Sequence, residues 1–239
     1  MNAYYSDIRP QMHDFASRKL KAIRIIKTLE NFLGNNKLKK LKILDVGSST
    51  GIIDSVLATK LGEVWGIDID KKGVNFAQKN FKYKNLHFKI GSALKLEFDN
   101  NMFDVVICAH VYEHVANPKK LFDEIYRVLQ PGGVCYLAAI NALWPIEPHY
   151  NLPFLSWLPK NLGNFYVKVF GKAKKYYENP MFYYQLKNLV KKFKITDYTV
   201  KILTSPKKFG YQNPPIPKFL ANYLKYLTPT FFWLLTKNE

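Results

Sequence analysis

Apolar residues follow two rhythms along this chain. Over residues 13–33, Leu20, Ile23, Ile26, Leu29 and Leu33 recur at three- and four-residue steps, which lines them along one helix face. Gly34 supplies a C-terminal stop, and Asn35, Asn36, Lys37, Lys39 and Lys40 make a polar linker. From residue 42 the rhythm changes to short continuous apolar blocks separated by amphipathic stretches. Segments 42–46, 63–67, 86–90, 103–108 and 133–140 read as strands, and 52–61, 71–80 and 118–129 as helices. This alternation predicts an α/β fold, a doubly wound, mostly parallel sheet with helices on both faces. Asn117-Pro118 marks a helix start and Pro131-Gly132-Gly133 a stop and reversal.

Beyond residue 140 the texture changes. Pro145, Pro148, Pro153 and Pro159 interleave with Trp144, His149, Tyr150, Phe154 and Trp157, and such punctuation forbids a long regular element. Residues 181–193 return to a helical pattern and Lys194–Leu203 to a strand. Pro214-Pro215-Ile216-Pro217 opens an insertion with a short helix near 217–227. The closing run Phe231-Phe232-Trp233-Leu234-Leu235 is far shorter than the ~20 apolar residues a membrane span needs, and reads as a last strand.

The chemistry concentrates where the first strand ends. Ile43-Leu44-Asp45-Val46 stops in Gly47-Ser48-Ser49-Thr50-Gly51 and a helix follows, the arrangement with which α/β proteins build a nucleotide-sized site. The second strand, Val64-Trp65-Gly66-Ile67, ends in Asp68, a carboxylate placed to accept hydrogen bonds from ribose hydroxyls. A nicotinamide dinucleotide fits less well, because a third glycine at the helix-packing position is missing. Asp70 reads as the N-cap of the next helix.

These residues resemble the class I S-adenosylmethionine-dependent methyltransferases, specifically the type 11 group. The resemblance continues through Gly91-Ser92-Ala93, Phe103 to Cys108, Val111-Tyr112-Glu113-His114-Val115, and Leu121 to Gly133, covering roughly residues 40–140. It implies a Rossmann-like, seven-stranded sheet ending in an antiparallel strand pair, with S-adenosyl-L-methionine as cofactor. By resemblance the cofactor is held by Asp45, Gly47, Ser48, Gly51, Asp68, Ile69, Ser92, Ala93 and Ala109. Asp45 organises the turn and the methionine end, and Ala93 meets the adenine through its backbone N–H. Ser49 stands where the family often has glycine. Ser92 stands where it often has an acid, which implies weaker cofactor binding. The leading helix is expected to cap the cofactor cleft.

Two histidines are candidate catalytic groups. His149, with Glu147 and Tyr150, follows the fifth strand in the segment expected to face the transferred methyl group, and imidazole titrates near neutral pH. His110, with Glu113 and His114, could act as a base, ligate a metal or position the cofactor; no metal is assigned. Quinone-type O-methyltransferases look similar here but carry acids around the position of His110. His13 and His87 belong to no motif.

Charge narrows the partner only slightly. Residues 151–239 hold 15 basic and 3 acidic side chains, +12 of the chain's net +18, and 20 of its 37 aromatics. Lysine with aromatics suits an anionic surface such as lipid headgroups, or a phosphorylated substrate. The only arginines are Arg9, Arg18, Arg24 and Arg127, so the basic third lacks the forked side chain that reads nucleic acid. Cys108 and Cys135 lie in apolar strands as packing thiols of a reducing cytoplasm. Met1 to Asp7 lacks an apolar leader core.

One domain is therefore expected: a helical cap (1–40), a cofactor core (41–140), an aromatic acceptor lid (141–193) and C-terminal strands with a helical insertion (194–239). The expected function is methyl transfer to a small-molecule or lipid-linked acceptor in the cytoplasm, with peripheral contact at an anionic membrane. An RNA methyltransferase, or a non-catalytic adenosyl-binding protein, is the alternative.

Overall fold

A computed structural model describes residues 9–35 and 37–238; the leader reading of Met1 to Asp7 and Asn36 of the linker lie outside them. Helix α1 (Phe15–Leu33) opens on Asp14, whose carboxylate accepts the Ser17 N–H, and closes at Gly34 with φ +85°. Strands β1 (Lys42–Val46), β2 (Glu63–Asp68), β3 (Leu86–Ile90), β4 (Phe103–Ala109) and β5 (Leu129–Ile140) follow, with α2 (Ile52–Ala58), α3 (Lys71–Asn80) and α4 (Pro118–Val128) between them. A two-stranded ribbon, β6 (Ile146–Glu147) with β7 (Leu152–Pro153), leads into α5 (Lys160–Val169) and α6 (Tyr183–Leu189). Then come β8 (Lys194–Asp197), α7 (Thr199–Thr204), α8 (Lys218–Leu224) and β9 (Thr230–Thr236).

The seven-stranded sheet has the order β3-β2-β1-β4-β5-β9-β8. The first five strands are parallel, and β9 runs antiparallel between β5 and β8. Strand residues alternate between two cores. Leu44 and Val106 pack with Leu121 and Ile125 of α4 and Leu186 of α6. Ile43, Val105 and Ile107 pack with Ile25 and Leu29 of α1, Ile53 of α2 and Ile202 of α7. Each such fully buried aliphatic contributes ~1.5–3 kcal/mol, and burial on both faces is why the strands read as continuous apolar blocks. Cys108 and Cys135 are buried and free. Strand order reverses between β1 and β4, opening a crevice beyond their carboxyl ends. Among the described residues no helix is long and apolar enough to cross a membrane.

The structure differs from the sequence reading at the C-terminal end. The strand expected over Lys194–Leu203 stops at Asp197, whose Oδ1 accepts the Thr199 N–H at 2.9 Å and starts α7. Tyr198 and Ile202, four apart, then both face the core, so helical periodicity prevails there. The helix expected over 181–193 shortens to Tyr183–Leu189, and α5 was not anticipated. The short turn Pro10–His13 ahead of α1 covers the glycine turn. Met12 O accepts the Thr50 hydroxyl at 2.6 Å, and His13 meets Phe76 edge-on.

Candidate active site

The turn between β1 and α2 carries three left-handed residues: Gly47 (φ +84°), Ser49 (+52°) and Gly51 (+69°). A Cβ on Gly47 would meet Val111 at 2.6 Å, and one on Gly51 would meet Ala77 and Phe88 at 2.6 Å. Ser49 adopts the conformation that glycine takes without strain, the physical reason a glycine suits that position. Asp68 holds the turn from the next strand. Its Oδ2 accepts the Ser49 N–H and its Oδ1 the Asp70 N–H, both at 2.8 Å. Burial nonetheless raises the Asp68 carboxyl above its ordinary value. Asp70 caps α3 through the Lys72 and Gly73 amides, as its sequence context indicated.

This turn fits S-adenosylmethionine. The buried Ser48 and Ser49 hydroxyls have no hydrogen-bond partner among the described residues, and the glycine backbone is open to close approach. Ile69, 74% exposed immediately after β2, is a large apolar side chain that an adenine ring would cover. Ser92 spends its hydroxyl on the Leu94 N–H at 3.2 Å, and Ala93 packs against the core beside it. Ala109 ends β4, and Asp45 lies buried at the end of β1.

Asp45 does not stand alone. Asp54, on α2 and fully buried, faces it without a well-formed hydrogen bond. Burial raises Asp54 to about 7, while the charge of Arg18 on α1 opposes the rise. Burial and the neighbouring Asp54 charge raise Asp45 as well. Sequence reading missed Asp54 and Arg18. An acid inside Ile52-Ile53-Asp54-Ser55-Val56-Leu57 was the available signal, because a charge on an apolar helix face is buried for a reason.

The histidines gather in a second chamber, beyond β4 and β5. Tyr112 pins its floor, donating to Ile140 O at 2.6 Å and accepting the Met181 N–H at 2.8 Å. Glu147, buried, binds His149 from both ends: Oε1 lies 2.8 Å from Nδ1, and Oε2 accepts the His149 and Tyr150 N–H groups. The His114 ring stands edge-on to His149 with centroids 4.8 Å apart. Glu178, also buried, lies 3.8 Å from both His114 Nδ1 and Arg9. Arg9 donates to His149 O at 2.7 Å. His110, with φ +59°, points Nδ1 toward Glu113 at 3.8 Å. Nothing in the sequence signalled Glu178, since tertiary packing alone brings it here.

Electrostatics join the two halves. Burial pushes His110 down to about 3, with Lys21 and Arg18 adding from the cofactor side and His149 and His114 from the chamber. Burial lowers His114 to about 4 and raises Glu113 to about 7. Burial opposes charge on His149, but the hydrogen bond and charge of Glu147 outweigh it and raise its pKa. Glu113, His114 and His149 could together hold a metal ion.

Residues 44–137 match the methyltransferase-domain family of type 11. Residues 44–137 thus form a methyltransferase domain of that family. The chain is 34% identical over 152 residues to the ubiquinone biosynthesis O-methyltransferase of Rickettsia akari, covering 60% of this chain and 58% of that one. To the protein of the same description from Rickettsia prowazekii it is 32% identical over 172 residues, covering 67% and 65%. The chain spans 41–65% of the length of these curated relatives and a similar one from Psychrobacter arcticus. Among solved structures it is similar in fold to a possible histamine N-methyltransferase from Thermotoga maritima. That pair has a TM-score of 0.56 at 16% identity, over 95% of this chain and 92% of that one. The YcgJ protein of Bacillus subtilis gives 0.56 at 15% identity, over 92% and 99%.

Proposed function

We propose that this protein moves the methyl group of S-adenosylmethionine to a hydroxyl oxygen of a small-molecule or lipid-linked acceptor, with the acceptor seated in the chamber of His110, Glu113, His114 and His149. The observation that carries this reading is the cluster beyond the carboxyl ends of β4 and β5, where Glu147 holds His149 at 2.8 Å, the His114 ring stands edge-on to it at 4.8 Å and His110 faces Glu113 at 3.8 Å. The O-methyltransferase description of the Rickettsia relatives supports an oxygen acceptor.

S-adenosylmethionine supplies an electrophilic methyl group on a sulfonium whose leaving group is a neutral thioether. Gly47, Ser48, Gly51, Asp68 and Ile69 would hold its nucleoside and Asp45 its methionine end. The chain's task is then alignment and exclusion of water, for which good geometry is worth roughly 7–11 kcal/mol. A hydroxyl must also lose its proton as the new O–C bond forms. The chamber offers that proton buried carboxylates and an imidazole already oriented by Glu147.

The surface beside the chamber supports an acceptor delivered from a membrane. On α5, Leu162, Phe165 and Val169 share one face and are each more than half exposed, while Gly163 and Val167 face inward. Phe154 and Trp157 precede them as a tilted pair, and Lys168, Lys172, Lys174 and Lys175 flank them. Apolar stripes edged with lysine suit the interface of an anionic bilayer. Incubation with methyl-labelled S-adenosylmethionine and fractionated cell extract tests the reading. Label in the lipid or low-mass fraction is expected; label in RNA alone would overturn it.

A further inference from the structure

We infer that Glu113, His114 and His149 form a site for one divalent first-row metal ion of the zinc type. Three observations converge on it. One ligand atom from each residue lies within 4.8 Å of the other two. Glu113 is fully buried, yet neither of its carboxylate oxygens has a hydrogen-bond partner from a neighbouring residue. An uncompensated buried carboxylate is costly, and a cation between it and two imidazoles removes the cost.

The third observation is the support behind His149. Glu147 engages its Nδ1 at 2.8 Å, so the neutral ring carries its lone pair on Nε2. A carboxylate behind an imidazole is the arrangement that fixes ring orientation and strengthens the free nitrogen as a ligand. Glu147 is itself locked by the His149 and Tyr150 amides, so the carboxylate that engages the ring Nδ1 is held in place. Glu178 faces His114 at 3.8 Å in the same supporting position. Two imidazoles and one carboxylate favour a borderline ion such as Zn2+ over Mg2+ or Ca2+, which prefer all-oxygen sets. Three protein ligands leave a coordination position open toward the chamber.

The inference rests on the reading of this chamber as the acceptor end. An ion held there would favour loss of an acceptor's hydroxyl proton to solvent, and His149 would then act as a ligand in place of a base. The site draws two residues, Glu113 and His114, from the segment after β4 and one, His149, from the ribbon after β5.

The test uses the full chain, stripped with a chelator and titrated with Zn2+ under equilibrium dialysis. One equivalent per chain is expected, with affinity falling at least tenfold in His149→Ala and in Glu113→Gln and unchanged in His87→Ala. S-adenosylmethionine binding by each variant reports that the fold is intact. Binding well below one equivalent, or binding that His149→Ala and Glu113→Gln leave unchanged, overturns the site. Stoichiometric Zn2+ with no methyl transfer to any fraction leaves the site standing and overturns the proposed function. Methyl transfer by stripped protein that binds no Zn2+ does the reverse.

Discussion

Glu147 grips His149 by side chain and backbone at once, with Oε1 2.8 Å from the ring Nδ1 and Oε2 2.7 Å from its amide nitrogen. A buried carboxylate with both oxygens committed to one histidine fixes that ring's position and tautomer. His149→Ala is expected to lower kcat on the order of 10²-fold, with S-adenosylmethionine affinity nearly unchanged. Glu147→Gln keeps the volume and loses the charge, and should fall between the two. Steady-state kinetics beside calorimetry decide this, and a variant that loses cofactor affinity instead would place His149 on the cofactor side.

Asp45 and Asp54 give the cleft a pH dependence. Burial raises both, Asp54 to about 7, so the folded protein retains protons that the unfolded chain releases near the ordinary carboxylate value. Their contribution to stability is complete below about pH 4 and is lost as pH rises through about 7. Without ligand, Tm is expected to fall between pH 5.5 and 8. S-adenosylmethionine carries a positive sulfonium, so its stabilising effect should instead grow over that range. Thermal scans of Asp54→Asn should show both slopes flattened; unchanged slopes would remove this pair from the account.

Gly51 is expected to tolerate no side chain. Its φ of +69° and the 2.6 Å approach to Ala77 and Phe88 add strain to a clash. Gly51→Ala should cost ~1–3 kcal/mol and abolish cofactor binding, which denaturant unfolding and calorimetry measure separately.

Asp68 supports the turn, and under the proposed function it would hold the ribose as well. Asp68→Asn retains an acceptor oxygen but loses the charge, so cofactor binding should weaken by ~1.5–3 kcal/mol while the fold persists. Calorimetry giving the parental affinity would remove Asp68 from the site.

The outward face of α5 should bind anionic vesicles and ignore neutral ones. Association is expected to weaken with salt, since exposed charges are screened within ~10 Å at about 0.1 M. Leu162→Glu with Phe165→Glu should abolish sedimentation and leave S-adenosylmethionine binding intact. Sedimentation of the double variant at the parental level would place membrane contact elsewhere or nowhere.

Local pattern determined the parallel sheet, its helices, the glycine turn and Asp68, because strands buried on both faces must read as apolar blocks and a left-handed turn calls for glycine. It also identified Asp70 as a cap and β9 as the strand that seals the sheet. It failed over Lys194–Leu203, where one stretch serves a strand and then a helix, and only the Asp197 hydrogen bond to the Thr199 amide and the core contact of Ile202 mark the change. His149 and Glu113 were each visible as residues, but their proximity was not. They lie on segments joined by a whole helix and strand, and Glu178 arrives from farther still. Spacing along a chain encodes periodicity within an element; which side chains share a buried chamber depends on how the elements pack, and here tertiary structure alone decided it.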